Sequence, residues 1–224
     1  ERVKFGIPAL AAILSGGAPR GRVTEIYGKF SSSKTTLALT LIKSARAQGL
    51  KCAFVDAEAA LNFDYAEQLG VDLKKLTVVH AVTGEEYIDE IEGLLKTFDV
   101  IVVDSVAAMT PKSELEGTID QASVGAHARL IARFLRKTVP LLQKRGATMI
   151  LLNHLKQSIM QYGETEYTPG GRSVSFFSSL RLKTASVQII KVGEKITGVR
   201  IKIHVAKSKV STPFEEVECE LYFS

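Results

Sequence analysis

Apolar residues along this chain come in short, β-branched runs separated by longer stretches of helical spacing. The run "RVTEIYG" predicts a strand, and a helix is expected from Lys34 to Gln48 with Gly49 at its C-terminal end. "CAFVDAE" predicts a second strand, "YAEQLGV" a short helix, "LTVVHA" a third strand and "GEEYIDEIEGLLKTF" a further helix. "DVIVVDS" and "ATMILLNH" are continuously apolar, as strands covered on both faces are. Between them, "QASVGAHARLIARFLRKTVPLLQKRG" reads as a long helix that Pro140 kinks or divides. Beyond "GGRSVSFFSS" the period changes, and "LRLKTAS", "GVRIKIHVAKSK" and "EEVECELYF" predict antiparallel strands joined by hairpin turns. The expected fold class is therefore α/β: a mostly parallel central sheet with helices on both faces and an antiparallel β extension at the C-terminal end. Residues 1–224 are expected to form one domain.

Composition adds little to that picture. A hydrophobic content of 46% with 24% charged residues excludes a disordered chain. The net charge of +5 is compatible with a polyanionic partner and equally with a slightly basic surface. Cys52 and Cys219 lie in strand-like runs without a CxxC spacing, which favours buried thiols over a metal site or a disulfide. No stretch reads as a membrane helix or a signal peptide, and a reducing cytoplasm is the expected setting.

The chemistry concentrates at "GKFSSSKTT", residues 28–36. This is a phosphate-binding pattern between a strand and a helix, with Ser33 where the pattern asks for glycine. Backbone N–H groups of Gly28, Lys29, Phe30, Ser31, Ser32 and Ser33 would cradle phosphate oxygens at the helix N-terminus. Lys34 would reach the β- and γ-phosphates, and the Thr35 hydroxyl, followed by Thr36, would ligate Mg2+. A Ser-rich N-cap turn is the competing reading. In "VIVVDS", Asp104 ends a buried strand, as an acidic residue of the Mg2+ shell does. Glu58 stands just beyond the second strand, placed to orient a water; Asp56 is closer to the strand interior and reads as structural.

With these residues in place, the chain resembles bacterial RecA recombinases. "RGRVTEIYGKFSSSKTT", "CAFVDAEAALNFDYAEQLGVD", "DVIVVDSVAAMTPKSELEG", "TPGGRSVSFFSSLRL" and "AKSKVSTPF" occur in that family's order. The resemblance covers essentially the whole chain, as the family's ATPase core without its N-terminal helical segment and C-terminal domain. It implies a RecA-like P-loop NTPase fold, ATP and Mg2+ as cofactors, and single-stranded DNA and a homologous duplex as partners. It also implies self-association into a head-to-tail helical filament with ATP at the subunit interface. By position, Lys34, Thr35 and Asp104 match the family's phosphate and magnesium residues and Glu58 its hydrolytic carboxylate. Tyr65 matches the aromatic that stacks on adenine, and Lys207 and Lys209 the pair that reaches the neighbouring subunit's γ-phosphate. Arg129 and Arg136 match phosphate-contacting arginines after the first DNA loop, and seven residues apart they share a helix face, with Arg133 beside them. The second DNA loop, "LKQSIMQYGETEYTPGG", is polar and Gly-rich and is expected to be mobile until bound. It supplies Lys156, Tyr162, Gly170, Gly171 and, at its end, Arg172 as DNA-side residues.

Departures from the family sit close to the chemistry. If φ is positive at Ser33, the strain is about 1–2 kcal/mol, enough to weaken nucleotide binding about tenfold. Phage recombinases of the UvsX type also lack glycine here. Lys29 and Phe30 replace the family's Pro-Glu, and Asn62 replaces an aspartate near the base. His154 replaces a glutamine that senses the γ-phosphate, and capping of the strand is its competing role. Ala185 and Ser186 lie where relatives carry arginines for a second DNA duplex, and His204 replaces a lysine. The expected function is an ATP- and Mg2+-dependent recombinase core that pairs DNA. The alternative is an accessory protein that binds nucleotide and DNA or a recombinase and hydrolyses little.

Overall fold

The computed structural model describes residues 1–117, 125–160 and 163–223. Two short strands, β1 (Arg2–Val3) and β2 (Ala18–Pro19), pair on either side of helix α1 (Pro8–Ile13). The alternating part follows: β3 (Val23–Gly28), α2 (Lys34–Ala47), β4 (Cys52–Asp56), α3 (Phe63–Gln68), β5 (Leu76–Val79), α4 (Gly84–Leu94) and β6 (Val100–Asp104). Then come α5 (Lys112–Glu116), α6 (Ala126–Arg145), β7 (Thr148–His154), the hairpin strands β8 (Lys156–Met160) and β9 (Gly163–Tyr167), and α7 (Arg172–Phe177). The long strands β10 (Ser178–Val192) and β11 (Lys195–Ser208) and the shorter β12 (Glu216–Tyr222) complete the chain.

Eight strands form one sheet in the order β12-β11-β10-β3-β7-β6-β4-β5. Every neighbour pair from β10 to β5 is parallel, and the two pairs involving β11 are antiparallel, as the change of sequence period predicts. Alternation along the strands divides the core in two. Ile26, Phe54, Val102, Ile150 and Leu152 face α1, α2 and α3 on one side of the sheet. Ala53, Val55, Ile101, Val103, Met149 and Leu151 face α4, α6 and α7 on the other. A strand buried on both faces needs no polar alternation, which is why β4, β6 and β7 read as unbroken apolar runs.

Two expectations change. Helix α6 runs through Pro140 undivided. The second polar loop contains β8 and β9, paired antiparallel from Lys156↔Tyr167 to Met160↔Gly163. Polarity and glycine signalled a loop there, but a two-stranded ribbon satisfies its backbone groups locally and needs no apolar face. Gln161 and Tyr162, and residues 118–124 within the expected first DNA loop "EGTIDQASVG", lie outside the described residues, so the Tyr162 expectation does too.

Candidate nucleotide site

Strand order puts the site together. β3, β7, β6 and β4 are consecutive in the sheet, and their C-terminal ends carry in turn Gly28, His154, Asp104 and the Asp56–Glu58 turn. Gly28 pairs with His154 and Asp56 with Asp104 in register, at about 4.8 Å per strand. A cavity of about 410 Å3 opens there, lined by Ser31–Thr36, Glu58, Tyr65, Asp104, His154 and Phe223.

The phosphate loop is tightly tied. A Cβ on Gly28 would come within 2.4 Å of both the Thr184 carbonyl and Ser32 Oγ, so only glycine fits. Ser32 Oγ meets Thr184 Oγ1 at 3.0 Å, and Ser186 Oγ donates to the Ser31 carbonyl at 2.7 Å. Ser33 is the N-cap of α2 with φ +61° and ψ +27°, and its side chain makes no cap bond. The condition for strain at this position is thus met. Ser31 also has a positive φ, +55°. Lys34 Nζ donates to the Lys29 carbonyl at 2.8 Å and to the Gly28 carbonyl at 3.3 Å. Burial pulls its pKa down, opposed by the charges of Asp104 and Glu58.

Thr35 Oγ1 donates to Asp104 Oδ2 at 2.6 Å, which joins the two oxygen ligands expected for a magnesium ion. Burial pushes the Asp104 carboxyl up to about 6 despite the Thr35 bond, and nearby Glu58 and Asp56 add to the push. A cation against that pair would restore the charged form. Among the described residues no three His, Cys, Asp or Glu side chains converge as a metal cage. A hydroxyl beside a carboxylate is an oxygen donor pair of the kind Mg2+ takes together with phosphates and water.

Glu58 is positioned by the turn that Asp56 organises. Asp56 accepts from the N–H groups of Ala60 and Leu61, and the Asp104 carbonyl accepts from those of Ala57 and Glu58. The structural reading of Asp56 thus stands. Glu58 Oε1 lies 2.7 Å from His154 Nε2, and the His154 ring stacks on Phe30. Burial alone would raise the Glu58 pKa, but the nearby Ser105 hydroxyl, the His154 contact and the charge of Lys34 hold it below the usual value. Tyr65 is fixed at the cavity rim by a 2.8 Å bond between its hydroxyl and Thr36 Oγ1. Phe223 meets the Tyr65 ring edge-on at 5.8 Å and gives the cavity a second aromatic wall. The sequence reading missed Phe223; an aromatic just past the last strand was its one available signal.

Lys207 and Lys209 are elsewhere. Lys207 pairs with Arg181, level with Glu25 inside β3, and Lys209 N–H donates to the Ser179 carbonyl, near the start of β3. The phosphate loop leaves the far end of that strand, about 10 Å beyond the level of Lys207 and about 15 Å beyond that of Lys209 at 3.3 Å per residue. The Lys207 ammonium instead donates to the carbonyls of Ser175 and Phe176 in α7, and burial, with Lys209 and Arg181 nearby, lowers its pKa. These lysines do not serve the loop of their own chain.

The expected DNA-side arginines fall on two packed helices. Arg129, Arg133 and Arg136 are exposed on α6, and Arg172 is exposed at the first position of α7. Gly170 (φ +91°) and Gly171 (φ +68°) let the chain enter α7 against α6, where a Cβ on Gly171 would sit 3.3 Å from Ala128. Lys156 is exposed at the start of β8. On the β11 face, Arg200 pairs with Glu220 and Lys202 with Glu216. A buried network also emerges: Glu25 accepts from Arg181 Nε and from Asn153 Nδ2, and Asn153 Nδ2 donates to the Pro169 carbonyl at 2.9 Å.

The RecA N-terminal domain family model matches residues 4–224. Protein RecA of Thermus aquaticus is 48% identical over 93% of this chain, and that of Symbiobacterium thermophilum is 42% identical over all of it. The chain spans 62% and 65% of those two proteins' lengths. A crystal structure of the RadB recombinase aligns with a TM-score of 0.71 at 20% identity, covering 96% of this chain and 94% of that one, and so shares the fold. Among the described residues no helix is long and apolar enough to cross a membrane.

Proposed function

Because the chain belongs to the RecA family, we propose that it is the ATP-hydrolysing core of a DNA recombinase, acting as a filament on single-stranded DNA and pairing it with a homologous duplex. The observation that carries this reading is the convergence of Lys34, Thr35, Asp104, Glu58 and His154 on one cavity at the ends of four adjacent strands. In this reading the loop amides and Lys34 hold the triphosphate, while Tyr65 and Phe223 flank the adenine. Thr35 and Asp104 would hold Mg2+, whose chemistry is to neutralise charge on the phosphate oxygens. Glu58, kept ionised by its partners, orients the attacking water.

Lys207 and Lys209 act on the loop of the next subunit, a role supported by their separation from the loop of their own chain. There they would spread positive charge over the transferred phosphoryl group, as an arginine finger does. Arg129, Arg136, Lys156 and Arg172 hold DNA phosphates. Neutralised Arg200 and Lys202 support weaker grip on a second duplex. That same neutralisation favours the accessory-protein alternative, which predicts nucleotide binding without strand exchange.

Phosphate release measured with and without single-stranded DNA tests the proposal. We expect stimulation by DNA and its loss in Lys34→Ala; release indifferent to DNA would overturn it. A strand-exchange assay then separates a recombinase from a regulator, which alters a partner's reaction and performs none alone.

A further inference from the structure

The tip of the phosphate loop carries a side chain that phosphate binding does not require. Phe30 is 80% exposed, and its one ring partner among the described residues is His154. The two rings stack with centroids 4.7 Å apart and 28° between their planes. His154 presents Nε2 to Glu58 Oε1 at 2.7 Å, while its Nδ1 is buried with no hydrogen-bond partner among the described residues. A neutral imidazole donates from one nitrogen and accepts at the other. With a carboxylate on Nε2 and nothing on Nδ1, the proton belongs on Nε2, donated to Glu58 and retained there.

Among the described residues nothing polar fixes that ring plane beyond the Glu58 contact itself. Imidazole torsion is broad and two-fold, so a ring held at one edge alone swings, and a flip puts Cε1 where Nε2 faced the carboxylate. The stack on Phe30 supplies the missing restraint from the opposite side. It also accounts for two departures from the family at once: positions 30 and 154, a glutamate and a glutamine there, here form a ring on a ring.

We propose that Phe30 is a positioning residue: by stacking on His154 it keeps Nε2–H aimed at Glu58 and so fixes the carboxylate that orients the attacking water. The kinetic part rests on the hydrolytic reading of Glu58 given above; the Phe30–His154–Glu58 geometry does not.

The test uses the whole chain with Phe30→Ala, Phe30→Leu and Phe30→Tyr, a site exposed enough that folding is not at risk. Long-range nitrogen–proton NMR of the four histidines, with His154 assigned by its absence in His154→Gln, reads the tautomer directly. The unaltered chain and Phe30→Tyr should show one Nε2–H form, and Phe30→Ala and Phe30→Leu an averaged one. In steady-state hydrolysis with single-stranded DNA, kcat should fall about tenfold in the Ala and Leu variants and recover in Tyr, with KM moved less than about twofold. An unchanged tautomer signal in Phe30→Ala, a Leu variant equal to the unaltered chain, or a loss confined to KM would overturn the proposal. A chain that hydrolyses no ATP at all would sink the recombinase reading instead, and the NMR comparison would still decide this one.

Discussion

Replacing Ser33 by glycine tests the reading of the phosphate loop at its most unusual residue. Ser33 sits at φ +61°, where a Cβ crowds the following carbonyl, and its side chain gives no cap bond in return. The left-handed conformation costs a non-glycine residue about 1–2 kcal/mol. Glycine removes that cost but loses about 0.4–1 kcal/mol through a freer unfolded chain. Ser33→Gly should therefore stabilise the fold by about 0.5–1 kcal/mol, raising Tm by about 1–4 °C for a chain of this size. Ser33→Ala keeps the Cβ and drops only the hydroxyl, so it should stay within about 0.5 kcal/mol of the unaltered chain. Thermal and urea unfolding followed by circular dichroism reads both. A parallel titration with an ATP analogue divides the relief between the free fold and the loaded loop; any share falling on binding appears as tighter affinity, with about tenfold as its ceiling. A glycine variant no more stable than the parent in either assay, or an alanine variant that matches it, would refute the strain argument.

Other consequences are equally concrete. Arg181→Ala leaves the fully buried Glu25 carboxylate with Asn153 as its remaining donor, and calorimetry should show a loss of about 3–5 kcal/mol. Glu58→Gln should lower kcat for DNA-stimulated hydrolysis about 10²- to 10³-fold while leaving ATP-analogue affinity nearly unchanged, as kinetics and titration together reveal. Arg129→Ala and Arg136→Ala should each weaken single-stranded DNA binding independently of sequence and reduce the slope of log affinity against log salt by about one, measured by fluorescence anisotropy.

Much of this architecture could be read along the chain because local signals agreed. The apolar runs of β4, β6 and β7 are unbroken since helices cover both sheet faces, and the period of two appears where β11 and β12 expose one face. The loop between β3 and α2 announced itself through Gly28, Lys34 and Thr35 at fixed spacing. What could not be read were partners set by the sheet order. β3 and β7 are neighbours although more than a hundred residues separate them, and that adjacency brings His154 to Gly28 and Phe30. The Glu25–Arg181–Asn153 network depends on the same crossovers. The ribbon of β8 and β9 was hidden because polar, glycine-containing strands share their composition with a loop. Phe223 reaches the cavity by way of β12, which lies at the far edge of the sheet.

Mixing two inactive chains tests the central claim that each nucleotide is held by one copy and completed by the next. Lys34→Ala should fail through its own phosphate loop, and the double variant Lys207→Ala with Lys209→Ala through the loop of its neighbour. Combined on single-stranded DNA, they should regain ATP hydrolysis that neither shows alone, since some interfaces then join an intact loop to intact lysines. No recovery on mixing while both variants still bind DNA, or full activity of the double-lysine variant by itself, would contradict it.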